Sequence, residues 1–347
     1  MILEIFISAL IAFVATLIGG QFIIPVLLQA KLLARDINKK NTPILPTSGG
    51  TILLLGLFFG VLSLVFASNY IVGTSVDSEV ILISLMSILA ITFIGFLDDL
   101  IGGRIRTFRG DVKAAIKRYK FFNGGIKQWQ KPVLTLIAAI PLMVINLGSE
   151  NIKFPLIGVI SINPIVYTLV FIPLAVAFSA NSFNMLEGMN GIASQMGLVA
   201  FIALSIFSYY TQNYTAFSLS VIFSAVLLAY VYFGSYPAKV LPGDSLTYLV
   251  GAGFAATVII GKMQVLGLIL IIPWIIEFFL KARARFHANS WGIIQKDGKL
   301  KSPNGGKIYS LTHVFMRSGK YTEMQIVSML TVLEAAIAAL GLLVLLY

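Results

Sequence analysis

Val80-Ile81-Leu82-Ile83-Ser84-Leu85-Met86-Ser87-Ile88-Leu89-Ala90-Ile91-Thr92-Phe93-Ile94-Gly95-Phe96-Leu97 carries no charge and runs straight into two adjacent carboxylates, Asp98 and Asp99. About 18 apolar residues in helical form are enough to cross the hydrocarbon of a bilayer. Two acids where such a helix meets water form a site for a divalent cation or a proton; the plain alternative is a solvated helix end. Only the rest of the chain can decide between the two.

Composition sets the class. The 347-residue chain is 58% hydrophobic and 11% charged, against about a quarter charged in soluble domains. Uncharged runs recur at roughly 5–28, 48–68, 80–97, 133–147, 162–180, 191–210, 214–234, 246–261, 263–276 and 325–347. They predict ten helices of an all-α polytopic membrane protein, in one integral-membrane domain over residues 1–347. Glu4 precedes the first run, which lacks a basic start and a small-residue cleavage site, so it is expected to be a retained helix and not a signal peptide. With no cysteine there is no disulfide, thiolate metal site or Cys nucleophile.

Charge predicts orientation. Of the 25 Lys and Arg, 23 fall in four alternate loops, 29–47, 98–131, 235–245 and 281–324. Only Lys153 and Lys262 fall in the opposite set, which holds Asp77, Glu79 and Glu150. Basic loops stay in the cytoplasm, so both termini are expected outside and the long Gly-, Asn-, Asp- and Arg-rich loops inside. The net charge of +11 then reflects topology and attraction for headgroups and phosphates. No basic domain with stacking aromatics supports a nucleic-acid partner. Val112, Ala115, Ile116 and Tyr119 share one helical face, opposite Lys113, Lys117 and Lys120, which predicts an amphipathic helix on the inner leaflet.

Five inner motifs carry polar chemistry. The first loop reads Arg35-Asp36-Ile37-Asn38-Lys39, then Pro46-Thr47-Ser48-Gly49-Gly50, where free N–H groups at a helix start suit a phosphate and an ordinary turn serves equally well. Asp98-Asp99 is followed by Lys131-Pro132, a Lys that could hold a phosphate or merely snorkel. The strongest motif is Asn181-Ser182-Phe183-Asn184-Met185-Leu186-Glu187-Gly188-Met189-Asn190-Gly191, because three Asn and a Glu at membrane depth cannot face lipid. Asn side chains offer neutral oxygen ligands to Mg²⁺ and paired donors and acceptors to a base or sugar. Pro242-Gly243-Asp244-Ser245 supplies a candidate third carboxylate, or simply a helix cap. Glu277 precedes Lys281-Ala282-Arg283-Ala284-Arg285-Phe286-His287, where Arg283 and Arg285 suit bidentate phosphate contacts and positive-inside anchoring accounts for some of the charge. His287 and His313 are the only histidines, too few for a His-based metal site.

These motifs, in this order, resemble the polyprenyl-phosphate N-acetylhexosamine-1-phosphate transferases, the superfamily of bacterial MraY, WecA and TagO and of the eukaryotic enzyme acting on dolichyl phosphate. The resemblance runs along essentially the whole chain. It is nearest the eukaryotic type in Asp36-Ile37-Asn38-Lys39, Arg283-Ala284-Arg285 and Asp297-Gly298-Lys299-Leu300. Thr47-Ser48-Gly49-Gly50 is nearer the MraY form, Glu187 stands where many relatives have Asp or Ala, and the His cluster of MraY and WecA is reduced to His313. That mixture points to an archaeal member.

The resemblance implies transfer of a sugar-1-phosphate, N-acetylglucosamine-1-phosphate first of all, from a UDP-sugar to a polyprenyl or dolichyl phosphate, with release of UMP. It implies Mg²⁺, with Mn²⁺ as the alternative, on Asn184 and Asp244. Asp98 and Asp99 would deprotonate or orient the lipid phosphate, and Lys131 would neutralise one phosphate, Arg283 and Arg285 the other. Asn181, Glu187, Asn190 and His287 would bind substrate, Asn190 at the uracil and His287 at the sugar. A homodimer is a possible assembly. An MraY-like phospho-MurNAc-pentapeptide transferase is the nearest alternative. A secondary transporter is the rival from another class, but its polar groups would gather at the midplane and not at one interface.

Overall fold

The computed structural model describes residues 2–71, 76–107 (103–107 as backbone), 126–145, 151–155 and 157–347. The amphipathic stretch 112–120 lies outside the described residues. Among those residues, eight helices are long and apolar enough to cross a bilayer. They are α1 (Ile2–Gln29), α2 (Gly50–Tyr70), α3 (Ser78–Thr107), α6 (Pro164–Leu186), α7 (Ile192–Tyr210), α8 (Tyr214–Gly234), α9 (Gly243–Ile260) and α13 (Glu323–Leu346). A bent pair, α10 (Gln264–Leu270) and α11 (Ile272–Arg283), meets at 56° across Ile271, with Pro273 in the first turn of α11, and counts as a ninth span if the two cross as one. The fourth expected helix is broken into α4 (Gln130–Ala138) and α5 (Ile140–Val144), with Pro141 unable to continue the hydrogen-bond ladder of α4. A short helix, α12 (Leu311–Met316), lies between α11 and α13 in the chain.

Among the described residues there are also three two-stranded antiparallel sheets: β1 (Leu33–Arg35) with β2 (Ile44–Pro46), β3 (Asn151–Phe154) with β4 (Gly158–Ser161), and β5 (Ile293–Ile294) with β6 (Leu300–Lys301). None of them is visible as an apolar run.

The helices sort by how much of each faces lipid. Leu3, Phe6, Leu10 and Phe22 of α1 and Phe58, Leu62 and Phe66 of α2 are exposed, which in a bilayer is their favourable environment. In contrast, α9 has 89% of its apolar window buried, whereas α13 has 22%. It is the central post, packed by α2, α3, α6, α7 and α8. Close packing at its start depends on Gly95 of α3, where a Cβ would lie 2.5 Å from the Asp244 carbonyl oxygen. That approach brings the C-terminal part of α3 against the first turn of α9, and with them their acids.

Candidate active site

Consecutive residues on an α-helix point about 100° apart, so Asp98 and Asp99 leave the end of α3 in different directions. Asp98 turns to α4, where its Oδ2 lies 3.0 Å from Lys131 Nζ and its Oδ1 accepts the Ile126 N–H at 2.6 Å. Asp99 turns to α9 and is buried. Lys131 also donates to Asp244 Oδ2 at 2.5 Å, so Asp98 and Asp244 share a single ammonium. Part of each side chain stays open: 19% for Asp98, 23% for Asp244 and 11% for Lys131.

The Asn-rich segment arrives from α6. Asn184 Nδ2 donates to Thr247 Oγ1 at 3.0 Å, one turn beyond Asp244, and its amide also hydrogen-bonds the Asp244 carboxylate. The two carboxylates, with the Asn184 amide turned to offer its oxygen, would form a hard-oxygen set that suits Mg²⁺, which takes one or two carboxylates and completes its shell with phosphate and water. No group of three or more acids and histidines placed to hold a metal by themselves occurs among the described residues.

The other expected residues sort by distance from this centre. Asn181 is committed to protein: Nδ2 donates to Thr135 Oγ1 (3.0 Å) and the Ala177 carbonyl (2.8 Å), and Oδ1 accepts from Tyr248 Oη (3.0 Å). It ties α4, α6 and α9 together beneath the acids. Glu187 ends α6, and its Oε2 accepts the Ala193 N–H at 2.7 Å, capping α7. Burial pushes its carboxyl up to about 8. Asn190 is buried, donating from Nδ2 to Asp36 Oδ2 (2.8 Å) and from its N–H to Glu323 Oε1 (2.8 Å). Arg283 donates to the Ile308 carbonyl and lies 5.3 Å over the Tyr309 ring, so it braces its own loop. Arg285 and His287 are exposed beyond a sharp reversal with Arg285 and Phe286 at φ 51° and 59°.

The structure gives other residues of these motifs, and residues outside them, roles as supports. Asn38 Nδ2 donates to the Gly188 carbonyl (2.7 Å) and its Oδ1 accepts the Gly292 N–H (3.1 Å). Lys39 pairs with Asp36 (3.2 Å) and with Glu323. Glu277, fully buried, accepts from Ser310 Oγ (3.0 Å), the Leu311 N–H (2.6 Å) and Ser290 Oγ (3.2 Å), with Lys281 at 3.4 Å. Ser290 in turn donates to the Met185 carbonyl at 2.9 Å. The Arg-bearing loop is thereby fastened to the Asn-rich loop. His313 is sequestered, and burial beside the Lys281 charge lowers its imidazole to about 4.

The sequence over residues 81–262 matches the family model for glycosyl transferase family 4. A protein of Saccharolobus solfataricus provisionally assigned as a UDP-N-acetylglucosamine–dolichyl-phosphate N-acetylglucosaminephosphotransferase is 34% identical over 98% of this chain and 96% of its own length. The chain belongs to glycosyl transferase family 4. A relative from Sulfolobus acidocaldarius with the same provisional assignment is 32% identical over the same shares. A phospho-N-acetylmuramoyl-pentapeptide-transferase of Clostridium perfringens is 26% identical over 79% of this chain and 81% of its own. The matched region of this family 4 member contains Asp98, Asp99, Lys131, Asn181, Asn184 and Asp244 and stops before Arg283. The buried Glu277–Lys281 pair lies beyond the matched region; the fifth motif contains both residues, and their i, i+4 spacing is the signal in sequence that they pair.

Proposed function

We propose that this membrane protein transfers N-acetylglucosamine-1-phosphate from UDP-N-acetylglucosamine to a dolichyl or related polyprenyl phosphate. An oxygen of the lipid phosphate attacks the β-phosphorus, the bond from that phosphorus to the bridging oxygen breaks, and UMP leaves. The observation that carries this reading is the convergence of Asp98, Lys131, Asn184 and Asp244 at the inner ends of four helices, in a chain that aligns end to end with relatives named for that reaction. Phosphoryl transfer needs positioning and charge neutralisation more than covalent participation, and this arrangement offers both.

Asp244, the Asn184 amide oxygen and Asp98 would hold Mg²⁺, with Mn²⁺ able to replace it; such an ion neutralises pyrophosphate charge and makes UMP a better leaving group. Asp98 orients the incoming lipid phosphate and can take its proton. Lys131, already between two carboxylates, is placed to follow the phosphate charge. Arg285 and His287 reach the sugar and pyrophosphate from the outer side of the loop that Arg283 braces. Asn190, held by Asp36 and Glu323, shapes the floor for the uracil, and Asn181 and Glu187 fix the segment between. The site is proposed to face the cytoplasm with both termini outside, following the split of 23 basic residues to 2.

Incubation of the purified protein with UDP-N-acetylglucosamine, Mg²⁺ and a polyprenyl phosphate, followed by an assay for UMP, tests the proposal. UDP-MurNAc-pentapeptide as competitor separates it from the MraY-like alternative. Absence of UMP with either donor would remove the transferase reading for this chain.

A further inference from the structure

The two adjacent aspartates do not share one job. We propose that Asp99 is a positioning residue that fixes the first turn of α9, and through it Asp244, and that it is neither the base nor a metal ligand. Its Oδ1 accepts the Asp244 N–H at 2.7 Å, and its Oδ2 accepts the Ser245 N–H at 3.1 Å and Ser48 Oγ at 2.9 Å. The first N–H groups of an α-helix have no partner within it, and negative charge is favoured there. Asp99 supplies both needs from another helix, since Pro242 precedes α9 with no side-chain cap of its own.

The rest of the surroundings close that carboxylate off. Gly243 has φ 66°, and a Cβ built on it would lie 2.3 Å from Asp99 Oδ2 and 2.7 Å from Oδ1. The chain thus presses its Cα against the carboxylate, and glycine is the residue that permits both the conformation and the contact. Ser48, itself at φ 74°, presents its hydroxyl from a loop clamped to the residue before Pro242: the Gly49 N–H donates to the Leu241 carbonyl (3.1 Å) and the Leu241 N–H to the Pro46 carbonyl (2.8 Å). Asp99 is 8% exposed, whereas Asp98 and Asp244 stay open on the side of Lys131. A phosphate or cation could reach Asp99 only by displacing the start of α9.

This inference rests on the proposed metal role of Asp244, so Asp244→Asn is the reference variant. The full chain is purified in detergent with Asp98→Asn, Asp99→Asn, Gly243→Ala and Ser48→Ala. Mn²⁺ binding is read by electron paramagnetic resonance with and without UDP-N-acetylglucosamine, and UMP release is measured against Mg²⁺ concentration and pH. A misplaced metal carboxylate should weaken Mn²⁺ binding roughly 10- to 100-fold in Asp99→Asn and Gly243→Ala, and less in the same direction in Ser48→Ala. The acid limb of kcat/KM should persist in Asp99→Asn and disappear in Asp98→Asn.

Loss of that limb in Asp99→Asn with normal Mn²⁺ binding would make Asp99 the base and overturn the proposal. Weak Mn²⁺ binding in Asp99→Asn alone, with Gly243→Ala and Ser48→Ala normal, would make it a direct ligand, with the same result. Should Gly243→Ala fail to fold, Ser48→Ala carries the comparison. If Asp244→Asn binds Mn²⁺ normally, the metal assignment fails by itself. Positioning by Asp99 then requires Asp99→Asn and Ser48→Ala to reproduce the kinetic pattern of Asp244→Asn, and distinct patterns overturn it.

Discussion

Lys131 faces two carboxylates at 3.0 and 2.5 Å in a partly buried setting, so its loss leaves two like charges with no counterion. Removing one partner from such a group is far costlier than the net worth of the pair, on the order of 3 kcal/mol. Lys131→Met should therefore lower both thermal stability and UMP release, and Lys131→Arg should restore stability more than turnover, since the planar guanidinium cannot follow a phosphate as a point charge does. Equal loss of both properties in the two variants would assign Lys131 a structural role alone. Two other groups contribute to the pH response of stability with opposite signs. His313 is held neutral at about 4, against 6.5 ordinarily. As pH falls from 6.5 to 4 the unfolded chain takes up a proton that the folded chain refuses, so stability is lost across that window. Glu187 is raised to about 8 from 4.5; the unfolded chain releases its proton first, so stability declines as pH rises from 4.5 to 8. Melting midpoints against pH should show a shallower acid-side decline in His313→Asn and a shallower alkaline-side decline in Glu187→Gln.

At the scale of elements, apolar runs mark where a helix must begin more reliably than where it ends. The run 263–276 stops at Glu277, yet α11 continues to Arg283 because Glu277 and Lys281 answer each other at 3.4 Å and the carboxylate collects further donors from the 290–311 loop. Likewise α3 continues past Asp98 and Asp99 to Thr107, because both acids are satisfied from other elements. What pattern reading shows is the apolar stretch; what it cannot show is a polar partner supplied from 30 or 150 residues away. The same limit explains the site. Asn184 was legible as a polar residue at membrane depth, and Asp98 and Asp244 as acids at helix ends, whereas the division of labour between Asp98 and Asp99 depends on which way each side chain leaves α3. One element carries a cost with no visible return: Glu334 lies midway along α13, fully buried, and neither carboxylate oxygen meets a hydrogen-bond partner among the described residues. An unsatisfied buried polar group costs roughly 1–3 kcal/mol, so Glu334→Met should raise stability by about that much without altering UMP release. A fall in the unfolding midpoint would instead mean that the carboxyl serves a partner.

For the whole molecule, the bent pair and the broken α4–α5 segment make helix counting a poor guide to which side each loop occupies, and charge is the better one. The loops that deliver Ser48, Lys131, Asn184 and Asp244 to one centre are the inner set of the charge reading or border it, so the assembled site and the topology stand or fall together. Translocating a loop rich in Lys and Arg is opposed by each of its charges, while a loop with a single Lys is not held back. Lys40 and Lys301 lie in two strongly basic loops, and Lys153 and Lys262 are the two cations of the opposite set; all four are exposed in the structure. Single-cysteine variants at these positions, in a chain that has no cysteine of its own, can be treated in intact cells with a membrane-impermeant maleimide. Lys153→Cys and Lys262→Cys should label at once, and Lys40→Cys and Lys301→Cys only after the membrane is opened. Immediate labelling at Lys301 would put the Arg283–His287 loop outside, away from any cytoplasmic nucleotide sugar. Such a result would overturn the proposed orientation, and with it a cytoplasmic UDP-sugar as the donor.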